Sequence, residues 1–253
     1  MDLKLERVIA VRTTKTIYRC EGDKVAKVFD NNFSKVDVLN EALNQARVEN
    51  LGINVPHILE VTTTDNGEWV IASEYIKGHT LSELMKKNPE KKAEYMKKFV
   101  ELQLEVQKHT CPLLTKIKDK MNTKIALADL EATTRYELRA RLEGLPRDNK
   151  LCHGDLCPSN IIVTDDGKYY VLDWSHATQG CPTADAAITY LTFWLNGDIE
   201  GAKEYLSLYC ELSHTEQKAV QRWLPIVAAA QSTKGNKDQR EFLLSWINVA
   251  EYE

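Results

Sequence analysis

No apolar stretch of this chain reaches the roughly 18–20 residues that cross a bilayer, so no membrane span is expected. The segment Met1 to Val11 is charged from Asp2 onward and lacks the apolar core of a signal peptide, which leads to the expectation of a cytoplasmic protein. Positive charge is not in excess either. The formal net charge is −4, whereas a general nucleic-acid binder is usually basic, so no nucleic-acid partner is expected. None of the six cysteines forms a CxxC pair. A zinc site needs closely spaced ligands, and the one cluster, Cys152, His153 and Cys157, has no second pair to complete it. Reduced, structural thiols are the expectation. Internal repeats and low-complexity stretches are missing as well.

What is present is an ordinary globular composition, 43% apolar and 28% charged, on 253 residues. That length suits one large domain or two lobes. The first third reads as strands. Leu5–Val11, Thr16–Cys20 and Lys24–Phe29 are short and rich in β-branched residues, and Gly22-Asp23 suits a two-residue hairpin with Gly first. Residues 35–50 show helical spacing, with Val38, Ala42 and Gln45-Ala46 on one side and an end near Gly52. A second hairpin joins 57–63 to 68–74 through Asp65-Asn66-Gly67.

After Gly78 the pattern turns helical. Thr80-Leu81-Ser82-Glu83 reads as a capping box, and Asn88-Pro89 starts a helix with Tyr95, Phe99, Leu102 and Val106 inward. One further helix is expected over about 121–143. A second capping box, Ser213-His214-Thr215-Glu216, should open a helix with Val220, Trp223 and Val227 inward, and Asn236 should open the last helix. The expected fold class is therefore α+β, with a small β-rich lobe at 1–76 and a larger helical lobe at 77–253.

The chemistry concentrates in residues 153–173. Ile161–Thr164 and Tyr169–Leu172 are strand-like and flank Asp165-Asp166-Gly167-Lys168. With Asp166-Gly167 as the two central residues of a type I′ turn, Asn160 falls directly across from Asp173. Opposed residues share a face, roughly 5 Å apart at Cβ, so an amide oxygen and a carboxylate would converge. An offset of one in the register would break this opposition. Five residues before Asn160 stands Asp155, in a loop shaped by Gly154 and Pro158. Hard oxygen ligands of this kind suit Mg²⁺, and a further carboxylate can take an acceptor's hydroxyl proton. Taken alone, the Asp-x₄-Asn spacing is ordinary turn chemistry.

His153-Gly154-Asp155-x₄-Asn160 followed by Leu172-Asp173-Trp174 resembles the catalytic and metal loops of the aminoglycoside phosphotransferase and choline kinase superfamily, relatives of protein kinases. The resemblance implies a two-lobed, protein-kinase-like fold. It implies Asp155 as the catalytic residue, and Asn160 and Asp173 as metal ligands. Val25-Ala26-Lys27-Val28 resembles the strand with the phosphate-binding lysine, and Glu41 its ion-pair partner, with Glu49 on the same helix as a competitor. Glu74-Tyr75-Ile76 is similar to the hinge, where the backbone of Glu74 and Ile76 would meet adenine, and Asp185 to a residue that steadies the catalytic loop. His153 reads as a loop brace, and Asp165 and Asp166 as turn residues. The implied cofactors are ATP, with GTP as the alternative, and Mg²⁺.

Three departures mark the small-molecule branch. The segment Arg12-Thr13-Thr14-Lys15-Thr16 has no glycine where protein kinases have a Gly-rich phosphate loop, the metal motif reads Asp-Trp-Ser, and no Ala-Pro-Glu follows. The expected activity is transfer of the γ-phosphate to a hydroxyl of a small polar molecule, with an aminoglycoside-type acceptor first. A metabolic kinase of choline, thiamine or methylthioribose is the alternative, and a non-catalytic nucleotide-binding module the reading from another class. Residues 176–217 hold Asp185, Asp198, Glu200, Glu204, Glu211 and Glu216 against Lys203 alone, which suits a cationic acceptor or equally ordinary solvated helix faces. Trp194 and Trp223 either cap such a ligand or pack in the core.

Overall fold

The computed structural model describes residues 4–12, 14–234 and 237–247. Two compact units divide the chain. The first comprises residues 1–87 and 158–176, the second 88–157 and 177–253. The strand at 79–80, the helix after it and the segment 158–176 thus go with the first unit, in place of one boundary at 76/77.

The first unit begins with β1 (Leu5–Val11), β2 (Lys15–Cys20), β3 (Lys24–Phe29), α1 (Lys35–Val48), β4 (Ile58–Thr63) and β5 (Trp69–Glu74). The strands form an antiparallel sheet in the order β1-β2-β3-β5-β4. Cys20 pairs with Lys24, so the β2–β3 loop holds three residues, Glu21 joining Gly22 and Asp23, and not the expected two. Both Gly22 (φ 75°) and Asp23 (φ 55°) adopt left-handed backbone.

Ser34 caps α1 by accepting the Asp37 N–H at 3.1 Å. The buried face of α1 is Val38, Glu41, Ala42, Asn44, Gln45 and Val48; Ala46, expected inward, is exposed. Next come β6 (His79–Thr80) and α2 (Leu81–Lys87). The expected capping box forms reciprocally: Thr80 N–H donates to Glu83 Oε2 (2.9 Å) and Glu83 N–H to Thr80 Oγ1 (3.1 Å).

The second unit opens with α3 (Lys92–Lys108), entered through a 3₁₀ turn at Pro89–Lys91, then α4 (Ile117–Leu127) and α5 (Ala132–Gly144). The last two stand in place of the single helix expected over 121–143. The cause is phase. Ile117, Met121 and Ile125 line one buried stripe and Leu138 and Leu142 another. On one continuous helix, at about 100° per residue, the mean directions of the two stripes would lie about 80° apart. The chain leaves the helix at Ala128 instead, which is extended and buried. A short strand β7 (Lys150–Cys152) follows.

The chain returns to the first unit with β8 (Ile161–Val163) and β9 (Tyr169–Val171), which pair with β6 in the order β6-β8-β9. A side chain at Gly78 would overlap Val163 O, so β6 approaches β8 as closely as only glycine allows. The second unit resumes with β10 (Thr178–Gly180), which pairs with β7, and then α6 (Pro182–Leu195), α7 (Ile199–Ser213), α8 (Gln217–Gln221), α9 (Leu224–Gln231) and α10 (Lys237–Ser245). The second capping box does not form. Ser213 is the last residue of α7, and its hydroxyl donates to Tyr209 O at 2.6 Å. His214 turns left-handed (φ 54°), and Thr215 N–H returns to Cys210 O at 3.1 Å. Val220, Trp223 and Val227 are nonetheless all buried, as expected. Thr13 and Asn236, both singled out above, lie outside the described residues.

The first unit is thus a five-stranded and a three-stranded sheet with their helices and the second is mostly helical, which is the α+β class. Phe99 meets Phe193 and Tyr205 edge-on, and those two stack on each other, all at 5.6–5.8 Å between centroids in the core joining α3, α6 and α7. Among the described residues no helix is long and apolar enough to cross a membrane.

Candidate functional site

Strand alternation decides where Lys27 points. Ala26 and Val28 pack with Cys20 and Val70 on one face of the sheet, whereas Phe29 packs with Val38, Ala42 and Ile71 on the face that α1 covers. A period of two puts Lys27 on the α1 face. On α1, Glu41 lies three residues after Val38 and so shares its buried stripe. The two meet as an ion pair between Lys27 Nζ and Glu41 Oε1. The competitor Glu49 is engaged elsewhere, accepting Ile58 N–H at 2.8 Å and lying 3.2 Å from His57 Nδ1.

Two further charges join this pair. Asp173 Oδ1 stands 3.5 Å from Lys27 Nζ, and Asp173 Oδ2 stands 3.2 Å from Lys15 Nζ, which is also 3.7 Å from Glu41 Oε1. Burial alone would raise the Asp173 carboxyl; the charges of Lys27 and Lys15 outweigh it and hold the carboxyl well below the usual range. Burial likewise opposes the charge on Lys27, yet Asp173 and Glu41 push its ammonium up to about 12. Lys27 and Asp173 are therefore both ionised at neutral pH.

Lys15 was missed by sequence reasoning as a site residue, for a definite reason. Ile17 pairs with Lys27, so Lys15, two residues along β2, falls on the same face. With a two-residue β2–β3 loop, Tyr18 would pair with Lys27 and Lys15 would point away.

The same one-residue correction applies to β8–β9. Ile161 pairs with Val171 and Val163 with Tyr169, so the loop is Asp165-Asp166-Gly167 and Leu172, not Asp173, opposes Asn160. Leu172 N–H donates to Asn160 O at 2.8 Å. Asp173 does not face Asn160 across the ladder. It follows at left-handed φ 61°, rare without glycine, and this bend sends its carboxylate to the two lysines. Asn160 ends a 3₁₀ turn, Pro158–Asn160, at the same end of the hairpin. A carboxylate and an amide oxygen are the hard donors a magnesium ion takes beside phosphate oxygens, so the pair fits such an ion in kind.

Glu74 closes β5. Its N–H donates to His57 O (3.0 Å) and its side chain accepts His57 N–H (3.1 Å). Tyr75, between Glu74 and Ile76, donates its N–H to Asp23 O at 2.9 Å, and its ring lies 3.7 Å beneath the Arg19 guanidinium. The hinge-like segment is thereby fixed to the β2–β3 loop.

In the second unit, Asp155 follows β7 in a loop braced from within. His153 is fully buried, and its Nδ1 accepts the Asp155 N–H at 3.2 Å. Asp185 is also fully buried. Its Oδ1 accepts the Gly154 N–H at 2.8 Å, and its Oδ2 accepts from Gln103 Nε2 and Gln107 Nε2, both at 3.1 Å. The glutamine oxygens accept in turn from Tyr205 (2.6 Å) and Tyr209 (3.0 Å), whose phenols burial pushes up. Gln103 and Gln107 were not singled out in the sequence. Their signal was there: two amides at i, i+4 on the inward face of α3. Lys120 on α4 feels Asp155 and Asp185, but burial and the charges of Lys234 and Lys124 push it down to about 7.

The structure decides between the two readings of several residues considered for the acceptor. Trp223 is fully buried and belongs to the core. Asp185 is no surface charge, Asp198 caps α7 through Gly201 N–H (2.9 Å), and Glu200 pairs with Lys203 (2.8 Å). Trp194 joins an aromatic cluster with Tyr190, Phe242 and Trp246, at 5.5–6.4 Å between centroids. Cys152 is a buried thiol that donates to Lys150 O and Cys181 O at 3.6 Å. Among the described residues no group of three or more His, Cys, Asp or Glu could hold a metal ion.

The sequence profile of the phosphotransferase enzyme family matches residues 7–223. No curated protein sequence matches the chain. Solved structures match closely in fold. A thermostable mutant of aminoglycoside phosphotransferase APH(4)-Ia, in ternary complex with AMP-PNP and hygromycin B, has TM-score 0.71 and 16% identity, over 96% of this chain and 91% of that chain. Choline kinase LicA from Streptococcus pneumoniae has TM-score 0.63 and 17% identity, over 96% and 91%. The GDP complex of an aminoglycoside 2'-phosphotransferase-IIIa mutant has TM-score 0.62 and 14% identity, over 97% and 91%. At these identities the likeness is one of fold, and that fold is kinase-like.

Proposed function

Since the chain belongs to the phosphotransferase enzyme family, we propose that it moves the γ-phosphoryl group of ATP to a hydroxyl of a small polar molecule. The observation that carries this reading is the charge cluster of Lys27, Glu41 and Asp173. A lysine fixed by a helical glutamate and set beside a loop aspartate is the arrangement phosphoryl transfer uses, where catalysis is positioning and charge. ATP is the nucleotide proposed, with GTP as the alternative; similar structures hold AMP-PNP, AMP or GDP.

Each residue has a role in this reading. Lys27 binds the nucleotide phosphates, and Glu41 keeps its ammonium in place. The backbone of Glu74 and Ile76 meets the base. Asp173 and Asn160 hold magnesium, which when bound supplies charge neutralisation to the phosphate oxygens. Asp155 accepts the proton of the acceptor hydroxyl, and Asp185 and His153 fix the loop that carries it.

The acceptor proposed first is of aminoglycoside type. A quaternary ammonium alcohol such as choline is the second reading. It is favoured by the rings of Tyr190, Trp194, Phe242 and Trp246, since aromatic faces attract cations. The test is ATP consumption with magnesium over a panel of aminoglycosides, choline, sugars and nucleosides. Turnover with one class, abolished by Asp155→Ala, is expected. Nucleotide binding without transfer to any acceptor would point to a regulatory module instead.

A further inference from the structure

Lys15 is unused by the roles above, yet it is built into the same cluster. It opens β2 just after Arg12 and Thr14 in the glycine-free stretch of the sequence, where Arg12 N–H meets Lys15 O at 2.8 Å and Asp30 N–H holds Thr14 O at 3.0 Å. Its side chain is 16% exposed, as is that of Lys27. The two lysines differ in attachment. Lys27 is bound most closely to Glu41, deep against α1. Lys15 is bound most closely to Asp173 Oδ2, at 3.2 Å, with Glu41 farther off at 3.7 Å.

Protein kinases cover the nucleotide phosphates at this point of the fold with backbone N–H groups of a glycine-rich loop. The sequence here has no glycine to bring a backbone close. A lysine offers three donors and a full charge on a flexible stem, and can serve the same oxygens from farther away. We infer that Lys15 is a second phosphate-binding cation, which supplies by charge what the glycine-rich loop supplies by backbone N–H groups. The inference rests on the nucleotide reading above.

The placement of Lys15 also couples it to the metal. A divalent ion held by Asp173 would compete with Lys15 for Oδ2, and the Lys15 ammonium would then be free to turn to the phosphates. Lys15 therefore favours the metal–nucleotide complex over the metal ion alone.

The test compares wild type, Lys15→Met and Lys15→Arg by calorimetric titration with ATP, ADP and AMP in magnesium buffer. Direct Mn²⁺ titration without nucleotide, followed by electron paramagnetic resonance, completes it. Lys15→Met is expected to weaken ATP and ADP by roughly 10- to 100-fold, the scale of a lost charge-assisted hydrogen bond, and AMP by no more than about twofold. Lys15→Arg should retain most of the ATP affinity, and Lys15→Met should bind Mn²⁺ several-fold more tightly than wild type. Equal losses for AMP and ATP, or weaker Mn²⁺ binding, would mean that Lys15 holds the scaffold, and would overturn the inference while leaving the nucleotide reading intact. ATP binding unchanged in Lys15→Met overturns it as well. A wild-type protein that binds none of the three nucleotides overturns both.

Discussion

The carboxylate of Asp185 holds the Gly154 N–H at 2.8 Å, with its other oxygen shared by two glutamine amides. No cation takes part in these three bonds. Gly154 immediately precedes Asp155, so the carboxylate fixes the loop through its backbone. Removing it takes an acceptor from three donors; Gln103 Nε2 keeps Thr189 Oγ1 (3.2 Å) and Gln107 Nε2 keeps Pro182 O (3.4 Å), whereas the Gly154 N–H loses its acceptor at a cost of about 1–3 kcal/mol if it stays buried. Asp185→Ala should lose about 2–4 kcal/mol in urea unfolding. Asp185→Asn should recover only part, because its amide N–H₂ faces the two glutamine N–H₂ groups. A full recovery in the asparagine variant would show that shape, not charge, is what the network needs.

The Lys27 ammonium predicts an alkaline dependence. Its folded value of about 12 lies above the ordinary lysine value of 10.5. A raised value stabilises the fold fully below the unfolded value, and the contribution disappears as pH climbs from about 10.5 to 12. The shift corresponds to about 2 kcal/mol. Urea unfolding of wild type should weaken across that window by about this amount more than unfolding of Lys27→Met. Asp173 acts at the other end: its lowered carboxyl stabilises above the unfolded value near 3.9, and that stability is lost only in stronger acid. Parallel alkaline curves for wild type and Lys27→Met would contradict the assignment.

Gly167 sits at φ 81° in the turn that sets the β8–β9 register. A side chain there meets no neighbour, so the cost of Gly167→Ala is conformational alone. About 1–2 kcal/mol is expected by thermal or urea unfolding, with the fold retained. A neutral outcome would mean that the turn is not left-handed at this position.

Asp155 is the residue on which the proposed chemistry turns. Asp155→Asn should lower kcat about 10²–10⁴-fold, the usual worth of a general base, with nucleotide affinity nearly unchanged. Steady-state kinetics on the best acceptor, alongside ATP titration, separates the two quantities. An unchanged kcat would remove Asp155 from the mechanism.

The fold and the cluster were legible in the sequence to the extent that they rest on alternation and helical phase. Lys27 and Glu41 meet because β3 alternates and α1 repeats, and both periods are visible in the residues. What sequence reasoning missed was loop length. A three-residue loop was taken for two at 21–23 and again at 165–167, and each slip of one turned side chains to the other face. It hid Lys15 in the first case and put Asp173 opposite Asn160 in the second. The Gln103–Gln107–Asp185 network was invisible for another reason: polar residues on an inward helix face declare burial but not their partners.

The misread turn had a correctly bracketed twin in the same chain. Thr64-Asp65-Asn66-Gly67-Glu68 and Thr164-Asp165-Asp166-Gly167-Lys168 fold alike. In each the threonine N–H reaches the fifth residue's O at 2.9 Å and the glycine N–H returns to the threonine O at 2.9 Å. In each the threonine hydroxyl accepts the fifth residue's N–H, at 3.2 Å in one and 3.0 Å in the other. Five residues thus act as a ruler that needs nothing from its surroundings. The address of the Asp173 carboxylate is written in the length of that ruler, and relocating the charge would call for editing the loop and leaving the strands as they are.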